Sequence, residues 1–462
     1  MATTEVAGRT IVAARRPAGA LTQQLLDGPI VPTLLRLAAP NVVVIAVQAV
    51  VSAAEAMYVG WLGAEALAGV ALVFPLIMLM QTMSAGGMGG GVASAVARAV
   101  GAGRRPEAEA LAWHAGVIAL VMGAVFTLGF LWGGPALYAA MGGTGNVLTV
   151  AVAYSRIVFS GAIAFWLFNL LAAVVRGTGN MRLPALVVLG GAVITLTVSP
   201  ALILGWGPFP RLGVAGAAWA MVAYYALGTL VLLAHLASGR GLVRLSLDRL
   251  RLRTRLFWDI LRVGAPGALN TIQTNLTVVM LTGLVGPFGS LALAGYGVGA
   301  RLEYLQIPLV FGLGSALVTM VGTNIGAGQH ARARRIMWSG AAVATVLTGS
   351  IGLIAALAPD LWLGLFSQDP DVLAAGRTYL RIVGPAYGFF GLGLSLYFAS
   401  QGLGRLGWPL IAGFARLSVA TVGGWIVVHR FGGELPGLFA IITLALVVFG
   451  TTVAVALWRR SS

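Results

Sequence analysis

Twelve apolar runs, none shorter than 23 residues, follow one another along the chain near residues 33–61, 66–99, 111–133, 147–175, 183–206 and 213–237, then 257–286, 291–325, 336–358, 372–400, 408–430 and 435–458. About 20 apolar residues wound as a helix cross the roughly 30 Å of a bilayer's hydrocarbon. Within that hydrocarbon every backbone amide must be satisfied inside the protein, which leaves helices or a closed barrel. Runs of this length predict helices. The fold class expected is therefore an all-α membrane protein with twelve transmembrane helices. Composition agrees, with 59% hydrophobic and 9% charged residues, where soluble domains average roughly half and a quarter. The 65 glycines read as places where membrane helices pack closely or bend.

Orientation follows from arginine, which supplies all 29 basic residues. If the amino terminus is cytoplasmic, 21 arginines fall on or beside the tails and even-numbered connections, three (Arg211, Arg377, Arg430) on or beside the odd ones, and five are left to the spans. Lys/Arg excess marks the cytoplasmic side. The expected layout is a cytoplasmic tail at 1–32, a first lobe of six helices at 33–237, a cytoplasmic basic linker at 238–256, a second lobe at 257–458, and a cytoplasmic tail at 459–462. The first 30 residues lack the apolar core and cleavage site of a signal peptide. The stretch 238–259 alternates Leu with Arg and reads either as an amphipathic helix on an anionic membrane surface or as a solvated linker. A net charge of +16 does not imply nucleic acid, because no soluble basic module is visible. The chain has no cysteine, which excludes disulfides and thiol chemistry.

The two halves repeat at an offset of 225 or 226 residues. Leu35, Arg36 and Pro40 return as Leu261, Arg262 and Pro266; Gln81 returns as Gln306; residues 101–103 (GAG) return at 326–328. Tyr154, Arg156 and Phe165 return as Tyr379, Arg381 and Phe390, and Gly177, Gly179 and Pro184 as Gly402, Gly404 and Pro409. Six crossings bring a chain back to its starting side, so the copies are parallel and related by an axis along the membrane normal. A substrate is expected between or within the lobes, near mid-membrane.

The run 75–105 (PLIMLMQTMSAGGMGGGVASAVARAVGAGRR), RGTGNMRLPA at 176–185, LGVAGAAWA at 212–220 and VGTNIGAG at 321–328 resemble the multidrug and toxic compound extrusion (MATE) exporters over nearly the whole chain. The resemblance implies two six-helix lobes in a V about a central cleft, and export of cationic or amphipathic organic compounds against inward H⁺ or, less readily, Na⁺.

An ionisable group at the centre of a span costs at least about 2.5–3.5 kcal/mol on insertion scales and is a functional candidate for that reason. Glu55 is the acid of the first span, where the DinF-like branch of the family carries one. The resemblance implies that it exchanges a proton; the plain alternative is a Glu paired with Arg156 or hydrated. Tyr154, Asn169, Thr195 and Ser199 are the implied polar lining. Thr195 and Ser199 stand where the family has an Asn and an Asp, so one of its two acids is missing. Hydroxyls do not titrate near neutral pH, and each can instead bond back to its own helix.

Glu303 is the acid of the second half's spans, a second proton or cation site or the structural partner of Arg381, Arg416 or Arg301. The sodium-branch acids of helices seven and ten have no counterpart. Arg156 and Arg381 are expected to lock their lobes by bonding carbonyls or an acid. The repeat-related Gln81 and Gln306 fit packing or recognition. Aromatics such as Phe165, Trp166 and Tyr397 are available to attract cations. The glycine strings 86–91 and 312–314 lack the setting of a phosphate loop and predict packing. No metal or other cofactor is expected, and the body is expected to act as a monomer among membrane lipids. Three alternatives stay open: a flippase of lipids or lipid-linked oligosaccharides, which would need a more cationic cleft; a membrane-embedded enzyme, for which no cluster of nucleophile, base or metal ligands is visible; and a channel.

Overall fold

In the computed structural model, which describes residues 19–246, 248, 250–430 and 432–459, twelve spans succeed one another. They are α1 (Ile30–Gly60), α2 (Ala64–Gly101), α3 (Arg105–Ala140), α4 (Gly145–Ser160 and Ala162–Gly177), α5 (Arg182–Leu204), α6 (Val214–Ser238), α7 (Thr254–Phe288), α8 (Ser290–Gly326), α9 (His330–Leu357), α10 (Pro370–Leu403), α11 (Gly407–Arg430) and α12 (Leu435–Arg459). No strand occurs among the described residues. Arg9, Arg15, Arg16, Arg249 and Arg460 of the orientation argument lie outside them, as does most of each expected tail.

Breaks in the spans respect the repeat. The halves of α4 meet at 48° around Gly161, and α10 passes through a single tight turn, Gly384–Ala386, whose last residue is Gly161 displaced by 225. Pro40 and Pro266, also repeat-related, lie inside α1 and α7, where each removes one intrahelical hydrogen bond. In α2 the turns widen over Thr82–Met88. That wide turn leads into the glycine string, where Gly87 lies against the backbone of Gly267 and Ala268 and Gly91 against that of Ile260 and Gly264. A Cβ on Gly87 would come within 2.6 Å of the Ala268 amide nitrogen, so these glycines let α2 and α7 touch backbone to backbone.

The spans form two lobes, α1–α6 and α7–α12, which meet toward one end of the body. It is the end that carries the connections α2–α3, α4–α5, α6–α7, α8–α9 and α10–α11, rich in arginine. A short helix, Ala20–Asp27, lies across the joint. Its Leu25 carbonyl accepts from Asn324 Nδ2 at 3.1 Å, Arg332 donates to the Gly28 carbonyl, and Leu21 and Leu25 pack on Gly179 of the other lobe. Between α6 and α7 the chain forms no amphipathic helix among its described residues. It folds back on α3 instead: Val243 is buried, Trp113 Nε1 donates to the Ser246 carbonyl at 3.0 Å, and the Arg253 amide donates to His114 Nε2 at 2.8 Å. The Leu residues of this stretch alternate with Arg at a period that suits an extended chain better than a helix face.

Candidate functional site

Glu55 stands near the end of α1 remote from the lobe joint and has neither an ion pair nor a hydrogen bond among the described residues. Arg156, its candidate partner, points to the surface. One turn on from Glu55, the Tyr58 hydroxyl donates to the Leu196 carbonyl at 3.4 Å, seating α1 on α5 between Thr195 and Ser199. Both of those side chains are buried, and Ser199 Oγ has no partner. Tyr154 of α4 and Tyr225 of α6 lie close enough to feel the charge of Glu55. Tyr225 also donates to Gln81 Oε1 at 3.3 Å. Glu55 is thus a half-buried acid whose lobe supplies hydroxyls nearby and, among the described residues, no cation bonded to it.

In the second lobe Glu303 is held from two sides. Arg416 Nη2 donates to Glu303 Oε1 at 2.9 Å and Tyr379 Oη to Glu303 Oε2 at 3.1 Å. The side chains of Glu303 and Arg416 are 7% and 13% exposed, so the pair is largely withdrawn from bulk solvent. The guanidinium also lies 5.2 Å from the Phe390 ring centroid and 5.7 Å from that of Phe449. Beside the pair is a space of about 10 Å³ lined by Tyr296, Tyr304 and Thr277, room for about one water.

The joint between the lobes has its own two-fold pattern. The Ser94 hydroxyl donates to the Gln401 carbonyl, and the Thr319 hydroxyl donates to the Arg176 carbonyl at 3.0 Å. Displacing Ser94 and Arg176 by 225 gives Thr319 and Gln401, so the two bonds are copies of each other across the pseudo-axis. The close approaches are copies too: a Cβ on Gly101 would overlap the Thr323 carbonyl oxygen, and one on Gly326 that of Arg98. Arg98 also donates to Ser94 Oγ. Nearer mid-body, Asn41 Nδ2 donates to Ser315 Oγ at 2.7 Å and Gln401 Nε2 to the Gly86 carbonyl at 3.1 Å. These bonds all fall in the half of the body nearer the arginine-rich end, and the cleft opens toward the other.

Several expected site residues have plainer surroundings. Asn169 donates to the carbonyl of Phe165 and Gln306 to that of Leu302, each within its own helix. Arg156 and Arg381 do not lock their lobes. Both are exposed, with no bond among the described residues, because at eleven residues into α4 and α10 a guanidinium on a long stem can reach interfacial water. Phe165, Trp166 and Tyr397 are buried in the cores, Phe165 against Tyr225 and Trp166 against Phe126, so these rings do not line the cleft. Unforeseen were Tyr225, the joint residues Ser94 and Thr319, and His114, whose Nδ1 lies 2.7 Å from the Ala110 carbonyl while Nε2 accepts from Arg253. The 225-residue offset was the available signal for the joint. No three of His, Asp or Glu gather as a metal site among the described residues.

Twelve spans in two repeat-related lobes, closed over a cleft at one end, are the architecture of a membrane transporter. The chain belongs to the MatE family, whose model matches residues 40–201 and again 266–426, once per lobe. It is accordingly an inner-membrane transport protein and not an enzyme. A protein of Shewanella oneidensis named FAD transporter is 30% identical over 383 residues, 81% of this chain and 82% of the relative. A probable multidrug resistance protein NorM of Deinococcus radiodurans is 31% identical over 436 residues, 88% of each chain. Among solved structures, one described as the outward-facing conformation of a multidrug resistance MATE family transporter of the MOP superfamily superposes with a TM-score of 0.88 at 23% identity, covering 96% of this chain and 99% of that one. The two-lobe fold is shared.

Proposed function

We propose that this secondary active transporter of organic compounds is an antiporter that exports amphipathic molecules against inward proton flow, with its arginine-rich end and both termini in the cytoplasm. The observation that carries the reading is the contrast in charge compensation: among the described residues Glu55 has no ion pair, whereas Glu303 is bound by Arg416. A carboxylate that must gain and lose a proton during a cycle is better served by neutral hydroxyl neighbours than by a salt bridge. Tyr154, Thr195, Ser199 and Gln81 would surround the proton and the compound in turn. Two relatives named for multidrug resistance and one named for FAD support an organic cargo. A preference for cations would rest on Glu55 alone, since the aromatic residues first considered are core.

The deciding measurement is uptake of a fluorescent amphipathic dye into inverted vesicles, with a pH or a Na⁺ gradient imposed separately. Uptake driven by the pH gradient and indifferent to Na⁺ is expected; the reverse would overturn proton coupling. For orientation, single cysteines at Met141 and Leu250, both exposed, should label from outside and inside the cell respectively. Labelling with the opposite sidedness would invert the orientation.

A further inference from the structure

At the floor of the cleft, just above the joint, is a cavity of about 20 Å³ lined by Arg176 of α4, Gln401 and Phe398 of α10, Phe311 and Ser315 of α8 and the α2 glycines. It has room for about one or two water-sized groups. Arg176 is its one charged lining residue, and the guanidinium has no ion pair or hydrogen bond among the described residues. Gln401 is wholly buried, and its amide cannot turn over without loss because Nε2 donates to the Gly86 carbonyl at 3.1 Å and to Tyr397 Oη at 2.9 Å. Gln401 Oε1 is thereby left buried without a donor. Ser315 is already engaged by Asn41 and the Gly312 carbonyl. Phe311 and Phe398 stand edge to face at 5.6 Å between centroids.

A half-buried guanidinium without a partner, as Arg176 is among the described residues, favours an anion, and its fork of donors matches a carboxylate or phosphate. A buried carbonyl oxygen needs a donor. An aromatic wall completes a site with no acid in it. We propose that this floor takes the anionic group of an aromatic organic acid carried by the protein, the ring itself lying outside the small cavity, with Arg176 as counter-charge and Gln401 Oε1 accepting from a hydroxyl or N–H beside that group. The inference rests on the exporter reading and narrows its substrate class.

The test is equilibrium binding, in nanodiscs, of a fluorescent aryl carboxylate and its methyl ester to the full-length protein. Wild type should bind the acid at least about tenfold more tightly, the range expected of a hydrogen bond to a charged group. Arg176→Gln should abolish the difference by weakening the acid alone, Arg176→Lys should keep part of it, and Gln401→Glu, which supplies Arg176 with an internal counter-ion, should abolish it again. If Arg176→Gln does not fold, the other two variants still decide. Equal affinity of wild type for both dyes, or an equal loss of both in Arg176→Gln, overturns the proposal. So does chloride that strengthens ester binding in wild type and not in Arg176→Gln, because the floor would then take a free inorganic anion. In inverted vesicles, export of the ester without preference for the acid sinks this inference alone. Export of neither dye under any gradient sinks the exporter reading, while the binding result still decides the site.

Discussion

Glu55 of the first lobe and Glu303 of the second each have a neighbouring tyrosine from the same repeat position, Tyr154 and Tyr379, yet their surroundings diverge. Tyr379 donates to Glu303 at 3.1 Å and Arg416 completes the neutralisation at 2.9 Å; around Glu55 stand Tyr154, Tyr225 and buried hydroxyls without a cation. The duplicated frame has thus kept the tyrosine and moved the acid, from α1 in one copy to α8 in the other. Removing one partner of a buried ion pair strands the other charge in a low dielectric. No such partner ties Glu55 among the described residues. On the proposed reading the first lobe changes its charge state during the cycle and the second keeps its own.

That division is most directly broken at Glu55. Glu55→Gln removes the only exchangeable carboxyl proposed for the first lobe at nearly constant volume. Dye uptake driven by a pH gradient in inverted vesicles should fall to the level of vesicles lacking the protein, while dye binding persists. Glu303→Gln should retain most of the uptake. If the two variants exchange these behaviours, the second lobe is the engine and the comparison is wrong.

A smaller effect falls on stability. Arg416→Met removes one partner of a pair whose side chains are 7% and 13% exposed, and breaking a buried pair from one side costs about 3–5 kcal/mol. Thermal unfolding of the purified protein in detergent should shift down accordingly. The double variant Glu303→Gln with Arg416→Met should recover most of the loss, because no buried charge is stranded. An Arg416→Met protein as stable as wild type would mean that Glu303 is not held as a carboxylate, and the contrast between the lobes would fade.

The spans were legible because the bilayer imposes one length on each of them. Boundaries differ where a helix runs past the hydrocarbon: α9 begins at His330 and α3 at Arg105, six residues ahead of the apolar runs, since a polar turn in water continues the helix although the hydropathy has dropped. Candidate acids were legible by their rarity. Their partners were not, for Glu303 and Arg416 are 113 residues apart and Arg381 or Arg301 suited it equally on paper. The surface positions of Arg156 and Arg381 were hidden as well, because a repeat tells which residues correspond and not which face they share. The pairing of Ser94 with Gln401 and of Thr319 with Arg176 lay within reach of the repeat, but only contact between the lobes shows that the copies cross over.

That crossing yields the smallest and most specific prediction. The lobes must part at their joint if the cleft is to open on the arginine-rich side, and two of the hydrogen bonds opposing this are copies: Ser94 to the Gln401 carbonyl and Thr319 to the Arg176 carbonyl. A neutral hydrogen bond contributes about 0.5–1.5 kcal/mol, so Ser94→Ala and Thr319→Val should each favour the parted state by roughly threefold to tenfold, in the same direction. Ser94 also accepts from the Arg98 guanidinium of its own helix, a charged donor that strengthens the bond Ser94 sends across the joint, so its replacement should have the larger effect of the two. The absence of cysteine from the chain makes the reading simple, because a cysteine placed at Val318 in the joint should react faster with a thiol reagent from the arginine-rich side as the parted state gains population. If only Ser94→Ala speeds labelling, the joint is held by α2 and α10 alone and its two-fold pattern has no mechanical meaning. If both do, and their combination multiplies the effects, the lobes are latched twice by one duplicated device, whose copies hold the same gate although the acids above them have parted company.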